Sequence, residues 1–145
     1  MTRLFVYGVL IRELAQGRAA ELIEPLDQGR PASVRGALCA IHSPALGGWY
    51  PILLPDPAGP VVRGRLHEAS GVDWAAMDEF EDAHDGPDAE YARREIAVTL
   101  ADGRRMEAFA YCYARDLPED AEPIAGGDFA AWLRETGRNA IVERD

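Results

Sequence analysis

The sequence predicts a single α+β domain in which short strands form a barrel and short helices cover it. A strand pattern over residues 91 to 100 meets a turn at Asp102-Gly103 and a returning strand pattern, which is the strongest hairpin signal in the chain. Residues 61 to 68 alternate between apolar or small side chains and mainly polar ones, as expected for a barrel strand with one face toward solvent, its wet face. Residues 72 to 82 instead repeat apolar side chains at helical spacing.

The composition is typical of one globular domain. Of the 145 residues, 48% are apolar and 28% are charged, so the chain can bury a core without disulfides or metals. The formal charge of -10 repels phosphate backbones and anionic lipid head groups. We therefore expect one domain over residues 1–145, with neither nucleic acid nor a membrane as partner. No segment is apolar for long enough to span a bilayer, so we expect a cytoplasmic protein. The oligomeric state stays open.

The cysteines and histidines do not predict a metal or redox site. Cys39 and Cys112 lie far apart within strand patterns, which favours two reduced core thiols. The three histidines are scattered along the chain, and the acidic run from Glu81 to Glu90 lacks the ligand spacing of an EF-hand. We therefore expect no bound metal.

The first apolar segment is the stretch around which the chain is organised. Leu4-Phe5-Val6-Tyr7-Gly8-Val9-Leu10 is typical of a buried strand that ends in a glycine turn. A glycine at position 8 lets the main chain approach a ligand, because no Cβ intervenes and positive φ costs little. The neighbouring amide groups are then able to converge on an anion.

Three elements are expected to follow this strand. Residues 11 to 24 have helical spacing interrupted by Gly17, which predicts a short or frayed helix ending near Pro25. Residues 34 to 42 predict a strand. Residues 49 to 54, with aromatic and apolar side chains between turn residues, predict an edge strand or an ordered loop that borders a pocket.

The helix over residues 72 to 82 is expected to begin at Ser70 as N-cap, with the Asp73 carboxylate facing its first turn. Glu81 lies next to the apolar stripe of this helix, because it follows Met77 by four residues. A carboxylate at that position is able to point into the domain.

The last elements are the hairpin and a terminal helix. Tyr91 to Leu100 is the first hairpin strand, and Met106 to Tyr113 is the return strand. Gly126-Gly127-Asp128 then precedes a short amphipathic helix beginning near Phe129 and stopping at Gly137.

Four motifs, taken in order, resemble the gamma-glutamylcyclotransferase-like family. That family has a Val-Tyr-Gly-Thr/Ser-Leu loop, a Tyr-Pro segment, a Leu-Asp-x-x-Glu helix end and a Tyr-x-Arg strand start. The corresponding segments here are Val6-Tyr7-Gly8-Val9-Leu10, Tyr50-Pro51, Met77-Asp78-Glu79-Phe80-Glu81 and Tyr91-Ala92-Arg93. The likeness extends over roughly residues 3 to 114.

The resemblance implies a small mixed β-barrel of about five to seven strands flanked by short helices. It also implies a pocket between the Tyr-Gly loop and a catalytic glutamate. Carried over by position, Glu81 is the catalytic acid/base, and the substrate-binding residues are Tyr7, Gly8, Val9, Leu10, Tyr50 and Tyr91. Two positions depart from the family: Val9 replaces a hydroxyl residue, and Asp82 replaces the glycine that often follows the glutamate.

The reaction implied by this family is cyclisation of a γ-glutamyl amide to 5-oxoproline with release of an amine. The substrate's own α-amine attacks its γ-carbonyl, so no cofactor is expected, and one carboxyl group is able to accept and return the proton. We expect burial and the charge of Asp78 to raise the pKa of Glu81. The alternative is a binding module on the same barrel that holds a small anion or a peptide without turnover.

Overall fold

The computed structural model describes residues 2–8, 18–83 and 88–141. Within the helix predicted over residues 11 to 24, it describes α1 (Arg18–Ile23) and the turn that follows, and residues 11–17 lie outside the described residues. Val9 and Leu10 of the predicted binding loop also lie outside them.

Seven strands are described, two of them with the predicted bounds. They are β1 (Arg3–Val6), β2 (Arg30–Ser43), β3 (Gly48–Pro55), β4 (Val61–Glu68), β5 (Tyr91–Leu100), β6 (Arg105–Tyr113) and β7 (Glu122–Pro123). Strand β2 is longer than the predicted strand over residues 34 to 42, because it pairs along its length with β3, β4, β5 and β7. Long strands of this kind are extended by their partners beyond what local pattern predicts.

Five of these strands close into a mixed barrel in the order β2-β4-β1-β6-β5. Closure comes from pairing of β2 with β5 at Ala32–Leu100 and Ser33–Thr99. The β1–β6 pair is parallel, whereas the other barrel pairs are antiparallel. Strands β3 and β7 extend the sheet from the second half of β2. The predicted barrel is confirmed, and β3 is the predicted edge strand.

Alternate side chains of the barrel strands form one core inside the ring, and a second core lies outside it. Val62, Leu66, Val98 and Leu100 belong to the inner core. The outer core packs α1 and α2 against β1, β2 and β3. The prediction that the outward face of β4 is in contact with solvent is wrong at His67. This side chain is only 1% exposed, because the segment after α1 covers it.

Helix α2 (Trp74–Phe80) begins later than predicted. Its N-cap is Asp73 and not Ser70, since the Ala76 N–H donates to the Asp73 carboxylate at 3.1 Å. The helix ends at Glu81, whose N–H donates to the Met77 carbonyl at 3.0 Å. Asp82 then adopts a φ of 54°, a left-handed conformation that glycine accepts most readily and that agrees with the glycine that the family resemblance led us to expect here.

The remaining predictions on the fold concern α3 and the thiols. Helix α3 (Phe129–Thr136) has Asp128 as N-cap and Gly137, with a φ of 70°, as C-cap, so the predicted stop is confirmed. Cys39 in β2 and Cys112 in β6 are buried free thiols. Among the described helices, none combines the length and the apolar character that crossing a bilayer requires.

Candidate active site

A cavity of about 530 Å³ lies where the end of β1 meets β3 and the end of α2. The predicted site residues that line it are Tyr7, Gly8, Tyr50, Glu81 and Tyr91. These residues come from four separate segments of the sequence, and the fold brings them to one surface. The other two predicted residues, Val9 and Leu10, lie outside the described residues.

Gly8 is required at the cavity because of the proline ring beside it. A Cβ at this position would lie 2.9 Å from the Cδ of Pro51 and closer still to its Cγ. Gly8 is not one of the described glycines with a positive φ, so the lack of a Cβ is what this position uses. The Tyr-Gly and Tyr-Pro motifs are therefore coupled by direct packing, with the proline of one filling the space left by the glycine of the other.

Tyr7 and Tyr91 form buried walls of the cavity. The Tyr7 hydroxyl donates to the Tyr111 carbonyl, and the Tyr91 hydroxyl donates to the Pro51 carbonyl at 2.9 Å. Burial raises the pKa of both phenols well above 10, and the nearby Glu81 carboxyl raises it further. Both phenols are therefore neutral, and their hydroxyls are held by main-chain carbonyls.

Glu81 is placed at the cavity by the packing of α2. Met77, one turn earlier, is completely buried, and Phe80 packs against the same outer core. Burial, followed by the negative charge of Glu90, raises the pKa of Glu81 to about 8. A carboxyl group with a pKa near neutrality is able both to accept and to donate a proton, as acid/base catalysis requires.

The prediction that the charge of Asp78 raises the pKa of Glu81 is wrong. The Asp78 carboxylate accepts a hydrogen bond from the Tyr111 hydroxyl at 2.6 Å and lies 3.7 Å from the Arg93 guanidinium. That guanidinium in turn stacks over the Trp74 ring, 4.6 Å from its centroid. Asp78 therefore anchors α2 to β5 and β6, and the charge that acts on Glu81 comes from Glu90.

Glu90 is a cavity residue that the sequence reasoning missed. Its carboxylate accepts a hydrogen bond from the Tyr50 hydroxyl at 2.6 Å, and its N–H donates to the Asp82 carbonyl at 3.1 Å. It lies directly before Tyr91, so the Tyr-x-Arg motif was the available signal. The acidic run from Glu81 to Glu90 was weighed only as a metal site, and that comparison does not single out Glu90.

The cavity carries negative charge. Its described lining contains the carboxyl groups of Glu79, Glu81, Asp82 and Glu90, and within that lining there is no arginine, lysine or histidine. An acidic lining attracts a cationic group such as an ammonium. Since the described lining has no cationic side chain, a ligand carboxylate would depend on neutral donors such as main-chain N–H groups or hydroxyls.

Comparisons with known proteins identify relatives of this fold. The sequence profile described as "Gamma-glutamyl cyclotransferase, AIG2-like" matches residues 4–132. The structure is similar to one named gamma-glutamyl cyclotransferase, with 17% identity and a TM-score of 0.66, covering 99% of this chain and 89% of that chain. It is also similar to an AIG2-like protein from Mus musculus, with 22% identity and a TM-score of 0.63, covering 100% and 97%.

A third similar structure is an uncharacterised protein from Pyrococcus horikoshii, with 16% identity and a TM-score of 0.60, covering 94% of this chain and 97% of that chain. At these identities the structural likeness establishes the fold. A search of curated proteins finds no match.

Proposed function

The chain belongs to the gamma-glutamyl cyclotransferase, AIG2-like family, and we propose that it converts a γ-glutamyl amide into 5-oxoproline and a free amine. The observation that carries this proposal is Glu81, a carboxyl group with a pKa of about 8 on the same cavity as Tyr7 and Gly8. Acid/base chemistry near neutral pH requires a group of this kind.

Binding comes first. The glutamyl α-ammonium is held at the acidic wall formed by Glu81 and Glu90, and the α-carboxylate faces the end of β1. Fixing both groups folds the flexible glutamyl chain, so that its α-nitrogen approaches its own γ-carbonyl. Tyr7 and Tyr91 limit the width of the cavity and exclude water from this region.

The proton then passes through Glu81. The bound ammonium gives a proton to the Glu81 carboxylate, and the resulting amine attacks the γ-carbonyl carbon to form a five-membered ring. The protonated Glu81 gives its proton to the leaving nitrogen as the bond between that nitrogen and carbon breaks. The ring nitrogen passes its extra proton to the freed Glu81 carboxylate, and the released amine then takes up that proton as an ammonium. One carboxyl group suffices because both nitrogens are attached to the same tetrahedral carbon. The substrate is a small molecule, and no metal or cofactor takes part in these steps.

The test is a panel of γ-glutamyl compounds, including γ-glutamyl amino acids, γ-glutamyl amines and glutathione, with mass-spectrometric detection of 5-oxoproline. Wild-type protein should release 5-oxoproline from at least one member, and Glu81→Gln should reduce the rate by at least about 100-fold. Glu95→Gln is the matched control, because this exposed acid on β5 lies outside the cavity and should leave the rate unchanged.

The alternative, a binding module, predicts a different outcome of the same panel. Val9 supports it, since a valine in the loop lacks the hydroxyl found in related sequences. A ligand that binds wild-type protein and Glu81→Gln equally well, with no 5-oxoproline from either, would favour that function. The cytoplasmic location and the lack of nucleic-acid and membrane partners stay predictions.

A further inference from the structure

A second groove, of about 390 Å³, lies where β2, β4 and β5 approach the start of α3. Among the described residues, none lines both this groove and the cavity that contains Glu81. We call it the arginine groove. The polar side chains that define it are Ser33, Arg63, Arg65, Thr99 and Arg134.

The strand register places three of these residues in one row. Ser33 on β2 pairs with Arg63 on β4 and with Thr99 on β5. Cross-strand partners lie on the same face of a sheet, with Cβ atoms about 5 Å apart. The flanking β2 residues Ala32 and Val34 are buried in the barrel core, so the row of Ser33, Arg63 and Thr99 faces outward.

The start of α3 is fixed beside this row by the Gly126-Gly127-Asp128 motif. The Arg63 N–H donates to the Gly127 carbonyl at 2.6 Å. Gly127 has a φ of 67°, and a Cβ there would overlap the carbonyl oxygen of Val61. The glycine motif therefore permits close contact between α3 and β4, and α3 then contributes Arg134 to the groove.

The groove is positively charged in a chain whose formal charge is -10. The Arg65 guanidinium is held in place because it donates to the main-chain carbonyls of Gln28 and Gly29, at 3.1 and 3.0 Å. Arg63 and Arg134 are exposed and form no ion pair with a carboxylate in the described part of the chain.

The described part of the lining contains one acid, Asp128, which already accepts a hydrogen bond. The carboxylate of Asp128 accepts the N–H of Ala131 at 3.0 Å as the cap of α3. The described lining of the groove therefore has more cationic groups than acids to neutralise them, and the hydroxyl residue Ser33 lies beside Arg63 in the strand register.

We propose that the arginine groove binds a small molecule through its phosphate group. Arg63 and Arg134 contact the phosphate oxygens, Ser33 and Thr99 donate hydrogen bonds from their hydroxyls, and Arg65 adds a fixed positive charge. A phosphate is favoured over a carboxylate, because it offers a second negative charge and more oxygen acceptors for planar guanidinium donors. This site is independent of the proposed γ-glutamyl reaction.

The experiment is a two-dimensional NMR titration with inorganic phosphate, at constant ionic strength and with acetate as the comparison anion. Saturable shifts of the amide signals of Ser33, Arg63 and Thr99 are expected with phosphate and not with acetate. Arg63→Gln and Arg134→Gln should each weaken phosphate binding about tenfold, which corresponds to the loss of about 1.4 kcal/mol, because each removes a charge-assisted hydrogen bond.

Arg94→Gln is the matched control. Arg94 is an exposed arginine on β5 that does not line the groove, so its removal changes net charge equally and should leave phosphate binding unchanged. Non-saturable shifts, equal shifts with acetate, or equal weakening in the Arg94 variant would overturn the proposal. Thermal unfolding of each variant checks that it is folded.

Discussion

Replacing Glu81 with glutamine should change how the stability of the protein depends on pH. Burial and the charge of Glu90 raise the pKa of Glu81 to about 8 from an ordinary value of 4.5. Between these two pH values the folded state binds more protons than the unfolded state, so stability falls as pH rises. The glutamine variant lacks this contribution, because its side chain does not titrate.

The size of the effect follows from the raised pKa. One pKa unit corresponds to about 1.4 kcal/mol, so the free energy of unfolding of the wild type should fall by up to about 5 kcal/mol relative to Glu81→Gln between about pH 4.5 and pH 8. This is a large change for a domain whose total stability is of the order of 5–15 kcal/mol. All other titrating groups are shared, so the difference between the two proteins isolates Glu81.

The assay is urea unfolding of both proteins across this pH range, followed by fluorescence of the three tryptophans. Glu79→Gln is the control, since Glu79 lines the same cavity but is exposed, and its removal should not produce this pH dependence. A difference in unfolding free energy between wild type and Glu81→Gln that stays constant with pH would show that the Glu81 carboxyl is hydrated, and the reasoning about the site would fail.

Three further predictions test the surroundings of the site. Glu90→Gln should shift the acidic limb of the pH–rate profile to lower pH by roughly one pH unit, because it removes the negative charge that raises the pKa of Glu81; an unchanged profile would contradict this coupling. Gly8→Ala should destabilise the fold by about 1–3 kcal/mol and reduce 5-oxoproline release, because the added Cβ would overlap the ring of Pro51. A variant that unfolds at the same temperature as the wild type would refute that contact. Asp73→Ala should lower the free energy of unfolding by about 1 kcal/mol, whereas Ser70→Ala should change it by only a few tenths of a kcal/mol. If urea unfolding showed Ser70→Ala to be the more destabilising of the two, Ser70 would be the N-cap, as the sequence predicts.

Much of the fold could be predicted because its signals are local. The alternation over residues 61 to 68 and 91 to 100 and the turn at Gly103 depend on neighbouring residues, and both strands have the predicted bounds. The length of β2 could not be predicted in this way, because its ends are extended by strands distant in sequence. The outward side of β4 was misjudged at His67, since the segment that covers it begins about 40 residues earlier.

In the candidate site, too, the residues that belong to motifs could be predicted, whereas the interactions between distant residues could not. Glu81, Tyr50 and Tyr91 were identified from their motifs, and the structure places all three on one cavity. The assignment of Asp78 as the charge acting on Glu81 failed, because closeness along a helix does not fix the direction of a side chain. Glu90 was missed because its hydrogen bond with Tyr50 spans 40 positions.

Most of the strands and helices, the turns and a glutamate at the end of a helix are predictable from the residues alone, since each depends on interactions between neighbours along the chain. The folded arrangement brings a second carboxylate close enough to alter the proton affinity of that glutamate, which no local pattern predicts. It also places arginines and hydroxyls from separate elements in one groove on another face. Charge and solvation act through space, and distances across the barrel are set by strand pairing and packing, not by position in the sequence.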